Sequence, residues 1–262
     1  MWHCGTEPAC YLGPMKQTIL AIHAHPDDVE ILAGGTLAQL SAAGHHVAIV
    51  SMTPGDCGSR DHGPDEIAAI RRQEAVAGAR RIGAVYGCAE FRDLAIFNDD
   101  ASRRRVTEVL RAARPDVVLT ASPVDYMCDH EAVSALVRDA CFAASAPNYA
   151  TSAPSPAPAL PAVPHLYFMD PIGGVDREGR PVMADFYVDV EAHFETKRAM
   201  LAEHASQREW LRAQHGMDDY LLTMERWTRE QGRRAGVVYA EGFRRYKGHP
   251  YPQTPLLEDL VA

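Results

Sequence analysis

The chain has 262 residues, 47% of them hydrophobic, and carries 26 basic against 35 acidic side chains, a formal net charge of -9. That length and apolar content suit one α/β domain with a sizeable core. The acidic balance lacks the basic footprint of a nucleic-acid binder and disfavours an anionic membrane surface, and no run of about 18 apolar residues is present for membrane insertion.

Residues 1–15 contain no basic segment followed by an apolar core, so no signal peptide is read there. They are expected to form a loosely ordered extension, with Met15-Lys16-Gln17 a natural start for the first strand and residues 16–262 a single domain. The six cysteines, Cys4, Cys10, Cys57, Cys88, Cys128 and Cys141, form no C-x-x-C pair. Free thiols and a cytoplasmic location are the expectation.

The apolar run at 17–23 reads as a buried first strand. A helix over about 29–43 follows, with Val29, Leu32, Ala33, Thr36, Leu37 and Leu40 at helical spacing and Gly44 as its stop. His46 to Met52 is a second strand, followed by a loop rich in Gly, Pro and Asp over 53–63. Pro64-Asp65-Glu66 opens a helix that runs to about residue 82, with acidic residues early as the helix dipole favours. A short strand near 84–86, a helix over 98–114, a strand over 117–120 and a helix over about 130–144 complete the alternation.

Strand–helix alternation of this kind means a mostly parallel sheet with right-handed crossovers, a Rossmann-like core with helices on both faces. The stretch 145–164, rich in Pro, Ala and Ser, is a long irregular loop, either a lid or disordered. Beyond it lie a C-terminal β segment, with strands near 165–169 and 186–190, and helices over about 191–212 and 219–236. Residues 237–243 fit strand or helix equally.

Three strand-end loops, 23–28, 53–63 and 122–130, converge on one edge of the predicted sheet. The carboxyl ends of parallel strands are where α/β folds bind ligands. The first loop carries His23-Ala24-His25-Pro26-Asp27-Asp28-Val29-Glu30. One imidazole and one carboxylate can hold a divalent metal, which leaves the second carboxylate free for proton transfer. A further ligand should come from another strand end, and His130, after Asp129, is the best placed. His45 and His46 sit at the wrong edge. His193, His204 and His215 fall on late helices as surface or core-edge residues.

With these residues in view, the chain resembles the LmbE-like, or PIG-L, family of metal-dependent N-deacetylases. The resemblance rests on Ala24-His25-Pro26-Asp27-Asp28-Val29-Glu30, Gly34-Gly35-Thr36-Leu37, Ile70-Arg71-Arg72-Gln73-Glu74-Ala75 and Asp129-His130. Weaker matches are Lys197, Ser206-Gln207 and Tyr239-Ala240-Glu241-Gly242-Phe243. It implies zinc, or iron(II), held by His25, Asp28 and His130, with Asp27 as general base. It also implies Arg71 as a substrate-binding residue, whose alternative is a surface salt bridge to Glu74, and Asp129 as an outer carboxylate. The implied substrate is a small N-acylated amino sugar or sugar conjugate. The expected assembly is a homo-oligomer, trimer or hexamer, with no nucleic acid partner and no membrane insertion.

One position departs from the family pattern. Met127 stands where the family has a first histidine that assists the oxyanion, and a thioether donates no hydrogen bond. Tyr126, His165 and Asp170 are the candidates to replace it. Met127 also keeps open a non-catalytic sugar- or metal-binding homologue, as well as a zinc amidase for larger conjugates. A dinucleotide-binding protein is disfavoured, because Gly34-Gly35 is not a G-x-G-x-x-G turn.

Overall fold

A computed structural model describes residues 16–215 and 220–262, with the side chains of 213–215 left out. The expected extension at 1–15 and the side chain of His215 therefore lie outside the described residues. In chain order the elements are β1 (Thr18–His23), α1 (Asp28–Ala42), β2 (His46–Ser51), α2 (Pro64–Arg80), β3 (Val85–Cys88), α3 (Asp100–Ala113), β4 (Val117–Thr120) and α4 (Cys128–Ala144). They continue with β5 (His165–Met169), β6 (Phe186–Asp189), α5 (Phe194–Ala202), α6 (Ala205–His215), α7 (Tyr220–Ala235), β7 (Ala240–Arg245) and α8 (Leu256–Leu260).

Seven strands form one sheet in the order β3-β2-β1-β4-β5-β7-β6. β1 to β5 are parallel, and β7 runs antiparallel to both β5 and β6. The apolar run of β1 is explained by burial on both faces. Ile19 and Ala21 join a core with α1 and α5, while Leu20 and Ile22 join a second core with α3 and α4. Gly35 lets α1 lie close on the turn after β6, where a Cβ would stand 2.6 Å from Val190 Cβ.

Three expectations needed revision. The helix read over 191–212 is a short 3-10 turn followed by α5 and α6, separated at Glu203-His204. The ambiguous stretch near 237–243 is the central antiparallel strand β7. The irregular stretch 145–164 is fastened to α3 and does not line the main cavity. There Glu108 accepts from Thr151 Oγ1 at 2.5 Å and from Ala157 N at 2.8 Å, and Leu160 is buried in the second core.

Candidate metal centre and cavity

The ends of β1 and β4 and the loop after β2 bring the chemistry-bearing residues to one sheet edge, as parallel topology requires. Asp27 and Asp28 open α1. Asp27 has φ 100°, ψ -30°, a conformation that a non-glycine residue rarely holds and that costs of order 1–3 kcal/mol. It makes no capping hydrogen bond and turns its carboxylate to the cavity instead.

Asp28 Oδ2 is the hub. It accepts from His25 N at 2.8 Å, and it stands 3.3 Å from His25 Nδ1, 3.4 Å from His130 Nε2 and 2.7 Å from His23 Nδ1. Two donors on one tetrahedral ion at bond lengths of about 2.0–2.1 Å stand about 3.3–3.4 Å apart. His25 and His130 have that spacing from Asp28, whereas 2.7 Å for His23 is a hydrogen-bond distance. The group whose ligand atoms all lie within 4.8 Å of one another is His23, Asp28 and His130, without His25. His23, however, is fully buried and absent from the cavity wall, while His25, Asp28 and His130 all line it.

The remaining ring nitrogens support a bound cation. His25 Nε2 lies 3.1 Å from Asp129 Oδ2, which also accepts from Leu94 N at 2.7 Å. His130 Nδ1 lies 3.0 Å from Asp125 Oδ1. Carboxylates behind imidazoles fix the tautomer that presents the other nitrogen to a metal. Both ring nitrogens of His130 are buried and make no hydrogen bond. Two imidazoles and one carboxylate suit zinc, and equally the facial triad of iron(II).

Charge in the cluster is sharply divided. Burial pushes the Asp28 carboxyl up, but His130, His23 and His25 outweigh it and hold it well below the usual carboxylate range. Burial pushes His25 down, but Asp129 and Asp28 outweigh it and raise the ring to about 10. Burial dominates at Asp27 and raises it, with Arg71 and Tyr220 opposing. Neighbouring carboxylates with opposite shifts suit different tasks, one as ligand and one as proton carrier.

Arg71 is 3% exposed, with no salt bridge to Glu74. It donates to Pro26 O at 2.7 Å and to Gly55 O at 3.4 Å, and its Nη2 is 3.5 Å from Asp27 Oδ1. Gly55 makes room for it, since a Cβ there would lie 2.1 Å from Arg71 Nη1. Glu74 instead accepts from Ser206 N and Oγ.

Two oxyanion candidates sit elsewhere. His165 starts β5 opposite Val117, at the amino end of the sheet, and its Nε2 is 3.4 Å from Thr254 Oγ1. Asp170 directly follows β5 but lines a separate small cavity with Lys197, Gln231 and Glu241. Tyr126 and Met127 do line the main cavity, with the Tyr126 ring 5.6 Å from that of His130. His204, expected at the surface or core edge, is fully buried, with Nε2 3.2 Å from Glu30 Oε1. Lys197 and Glu241 form a buried ion pair at 2.7 Å, and Glu241 also accepts from Gly35 N and Thr36 N.

Sequence reasoning missed Tyr220, whose hydroxyl donates to Asp27 Oδ2 at 2.5 Å. It also missed the cap made by α6 and α7, which puts Gln207, Trp210, Leu211, Thr223, Met224 and Trp227 over the site. Asp56, Cys57 and Asp93 form a second close group. Their carboxylates brace the loops: Asp56 Oδ1 accepts from Asp93 N, and Asp93 accepts from Cys57 N and Thr53 Oγ1.

The model of the PIG-L family, GlcNAc-PI de-N-acetylase, matches residues 20–141, the stretch that carries His25, Asp27, Asp28 and His130. Residues 20–141 are thus similar to a PIG-L domain. The chain is 29% identical over 169 residues to 1D-myo-inositol 2-acetamido-2-deoxy-alpha-D-glucopyranoside deacetylase of Streptomyces griseus, covering 52% of each chain. It spans only about half the length of that relative. Diacetylchitobiose deacetylase of Thermococcus kodakarensis is 26% identical over 86% of this chain and 82% of its own. 4-Oxalmesaconate hydratase of Pseudomonas putida is 25% identical over 78% and 79%. The solved structure of N,N'-diacetylchitobiose deacetylase from Pyrococcus horikoshii superposes with a TM-score of 0.74 at 27% identity, covering 91% of this chain and 88% of that one. Among the described residues, no helix is long and apolar enough to cross a membrane.

Proposed function

We propose that this PIG-L protein is a metal-dependent hydrolase that removes an acyl group from the amide nitrogen of an N-acylated amino sugar or sugar conjugate. The observation that carries the reading is the buried His25–Asp28–His130 cluster opening onto a cavity beside the strained, uncapped Asp27. His25, Asp28 and His130 would hold zinc, with iron(II) as the alternative. A metal bound there supplies Lewis acidity, which makes a water a nucleophile near neutral pH and stabilises negative charge on the amide oxygen.

The protein's own groups handle the proton. Asp27 takes it from the attacking water and returns it to the departing amine. Its raised affinity for a proton suits it to both tasks. Tyr220 donates to one of its oxygens and Arg71 Nη2 stands 3.5 Å from the other, so the carboxylate is oriented before substrate arrives. Arg71 is thereby a positioning residue for Asp27 and the Pro26 turn.

The hydratase relative marks the competing chemistry. A polycarboxylate substrate would need several cations, and Arg71 is the one Arg or Lys among the described residues lining the cavity, already bonded to two carbonyls. That favours a neutral amide. The homo-oligomer, the cytoplasmic location and a single domain over residues 16–262 complete the proposal. Metal analysis of the purified protein, with a free-amine assay over N-acetylated sugars, tests it. Metal-loaded protein that releases no amine from any of them would reject it.

A further inference from the structure

The cavity of about 560 Å³ is divided by chemistry. Its charged groups lie on the floor, and several are engaged within the protein. His25 faces Asp129, Asp27 is held by Tyr220 and Arg71, and Arg71 is bonded to backbone carbonyls. Gln207 Oε1, on the cap helix α6, is buried and without a partner, as are Arg71 Nε and both ring nitrogens of His130. Above the floor, α6 and α7 contribute Trp210, Leu211, Met224 and Trp227, and the two tryptophans are only half-buried. Leu94 and Tyr126 also line the cavity and are 61% and 65% exposed. Exposed apolar side chains grouped around one opening mark a surface that something apolar covers.

A bare N-acetyl hexosamine surrounds its amide with hydroxyl groups. Buried against these walls, those hydroxyls would lose water without gaining partners, which is costly. Resting on the deacylase reading above, we propose that the substrate carries a sizeable apolar group, an alkyl chain or aromatic ring, seated between the α6–α7 tryptophans and Leu94 while its amide meets the metal centre. Such a group can belong to the acyl chain or to the aglycone, and the chemistry of recognition is the same for both.

Two substrate series separate these sources. One holds the N-acetyl group constant and lengthens the alkyl β-glycoside of N-acetylglucosamine from methyl to octyl. The other lengthens the N-acyl chain of glucosamine from acetyl to octanoyl. In one series kcat/KM should rise by up to about fourfold per added methylene until the slot is filled, and at least tenfold overall. The series that rises identifies which side bears the apolar group. Trp227→Ala and, independently, Trp210→Ala should bring the long-to-short ratio towards one.

Octyl β-glucoside, which has no amide, supplies a readout independent of turnover. Its binding, followed by tryptophan fluorescence, should weaken at least fivefold in either variant. If it does so while no amide is cleaved, the deacylase reading fails and the apolar slot stands. If amides are cleaved but both series are flat with chain length, the apolar slot is overturned and the deacylase reading stands. A ratio that neither tryptophan variant changes also overturns it.

Discussion

Tyr220 Oη donates to Asp27 Oδ2 at 2.5 Å, although 193 positions separate the two residues in sequence. The contact ties the cap helix α7 to the turn that opens α1, so the base is held in place by the element that covers it. A hydrogen bond to an ionised group is worth about 1.5–3 kcal/mol, or roughly ten- to a hundredfold in rate. Tyr220→Phe is expected to lower kcat within that range with little change in metal content. Loss of metal in parallel with rate would make Tyr220 a support of the whole centre rather than of Asp27.

Asp27→Asn keeps the size of the side chain but removes its capacity to take a proton. It is expected to retain the metal and to lose amide hydrolysis by about two to four orders of magnitude. Metal analysis and steady-state rates on the same preparation check both halves. A near wild-type rate would assign proton transfer to another group.

The ligand set is separable by variant. His25→Ala and His130→Ala are each expected to abolish stoichiometric metal binding. His23→Ala, which removes a partner of Asp28 from behind, is expected to keep the metal at roughly ten- to a hundredfold weaker affinity. Competition with a chelator, read by elemental analysis, orders the three. Full occupancy in His25→Ala with loss in His23→Ala would move the ion to the buried His23–Asp28–His130 group.

What the sequence revealed and what it hid follow from the range of the interactions. β1 was legible because Ile19, Leu20, Ala21 and Ile22 are buried on alternate faces, so burial leaves an unbroken apolar run. The loops at the ends of β1 and β4 were legible because parallel topology gathers strand ends. Tyr220 was hidden because nothing near it in sequence signals a partner on α1. The burial of Arg71 was hidden because helical periodicity does not reveal what faces the helix, and only Gly55 and Gly58, which leave space for the guanidinium, carry a trace of it. The break between α5 and α6 carries neither Gly nor Pro, so no local signal marks it. His165 was misplaced because its strand was read correctly but its position at the start of β5, and not the end, was given no weight.

Asp170 supplies a prediction about stability. Burial, opposed by Arg244 and Arg234, pushes its carboxyl up to about 6 from an ordinary 3.8, and neither oxygen has a hydrogen-bond partner. A carboxyl whose affinity for protons is raised by folding favours the folded state while protonated. Its burial becomes a cost as pH rises from about 4 through 6, and the cost is fully present above that. Asp170→Asn removes the charge at nearly constant shape. It is expected to stabilise the protein by about 2–3 kcal/mol at pH 7.5, and by almost nothing at pH 4. Urea denaturation of both proteins at the two pH values measures the difference. An equal difference at both would show that burial of charge is not its source.

The last prediction concerns the amide oxygen. Met127 lines the cavity and has no proton to donate, so a second donor must come from elsewhere if the oxyanion has one besides the metal. Of the three sequence candidates, His165 lies at the opposite edge of the sheet and Asp170 in a separate cavity, which leaves Tyr126, beside His130. Removing one oxyanion donor costs about a hundred- to a thousandfold in kcat. Tyr126→Phe is expected to show that loss with the metal retained. Met127→His alone should change the rate by less than about tenfold, because the donor is already supplied. In the Tyr126→Phe background the same histidine should recover part of the loss, since it then provides the missing hydrogen bond. A wild-type rate in Tyr126→Phe, together with a large gain in Met127→His alone, would mean that this face of the site is simply unfurnished.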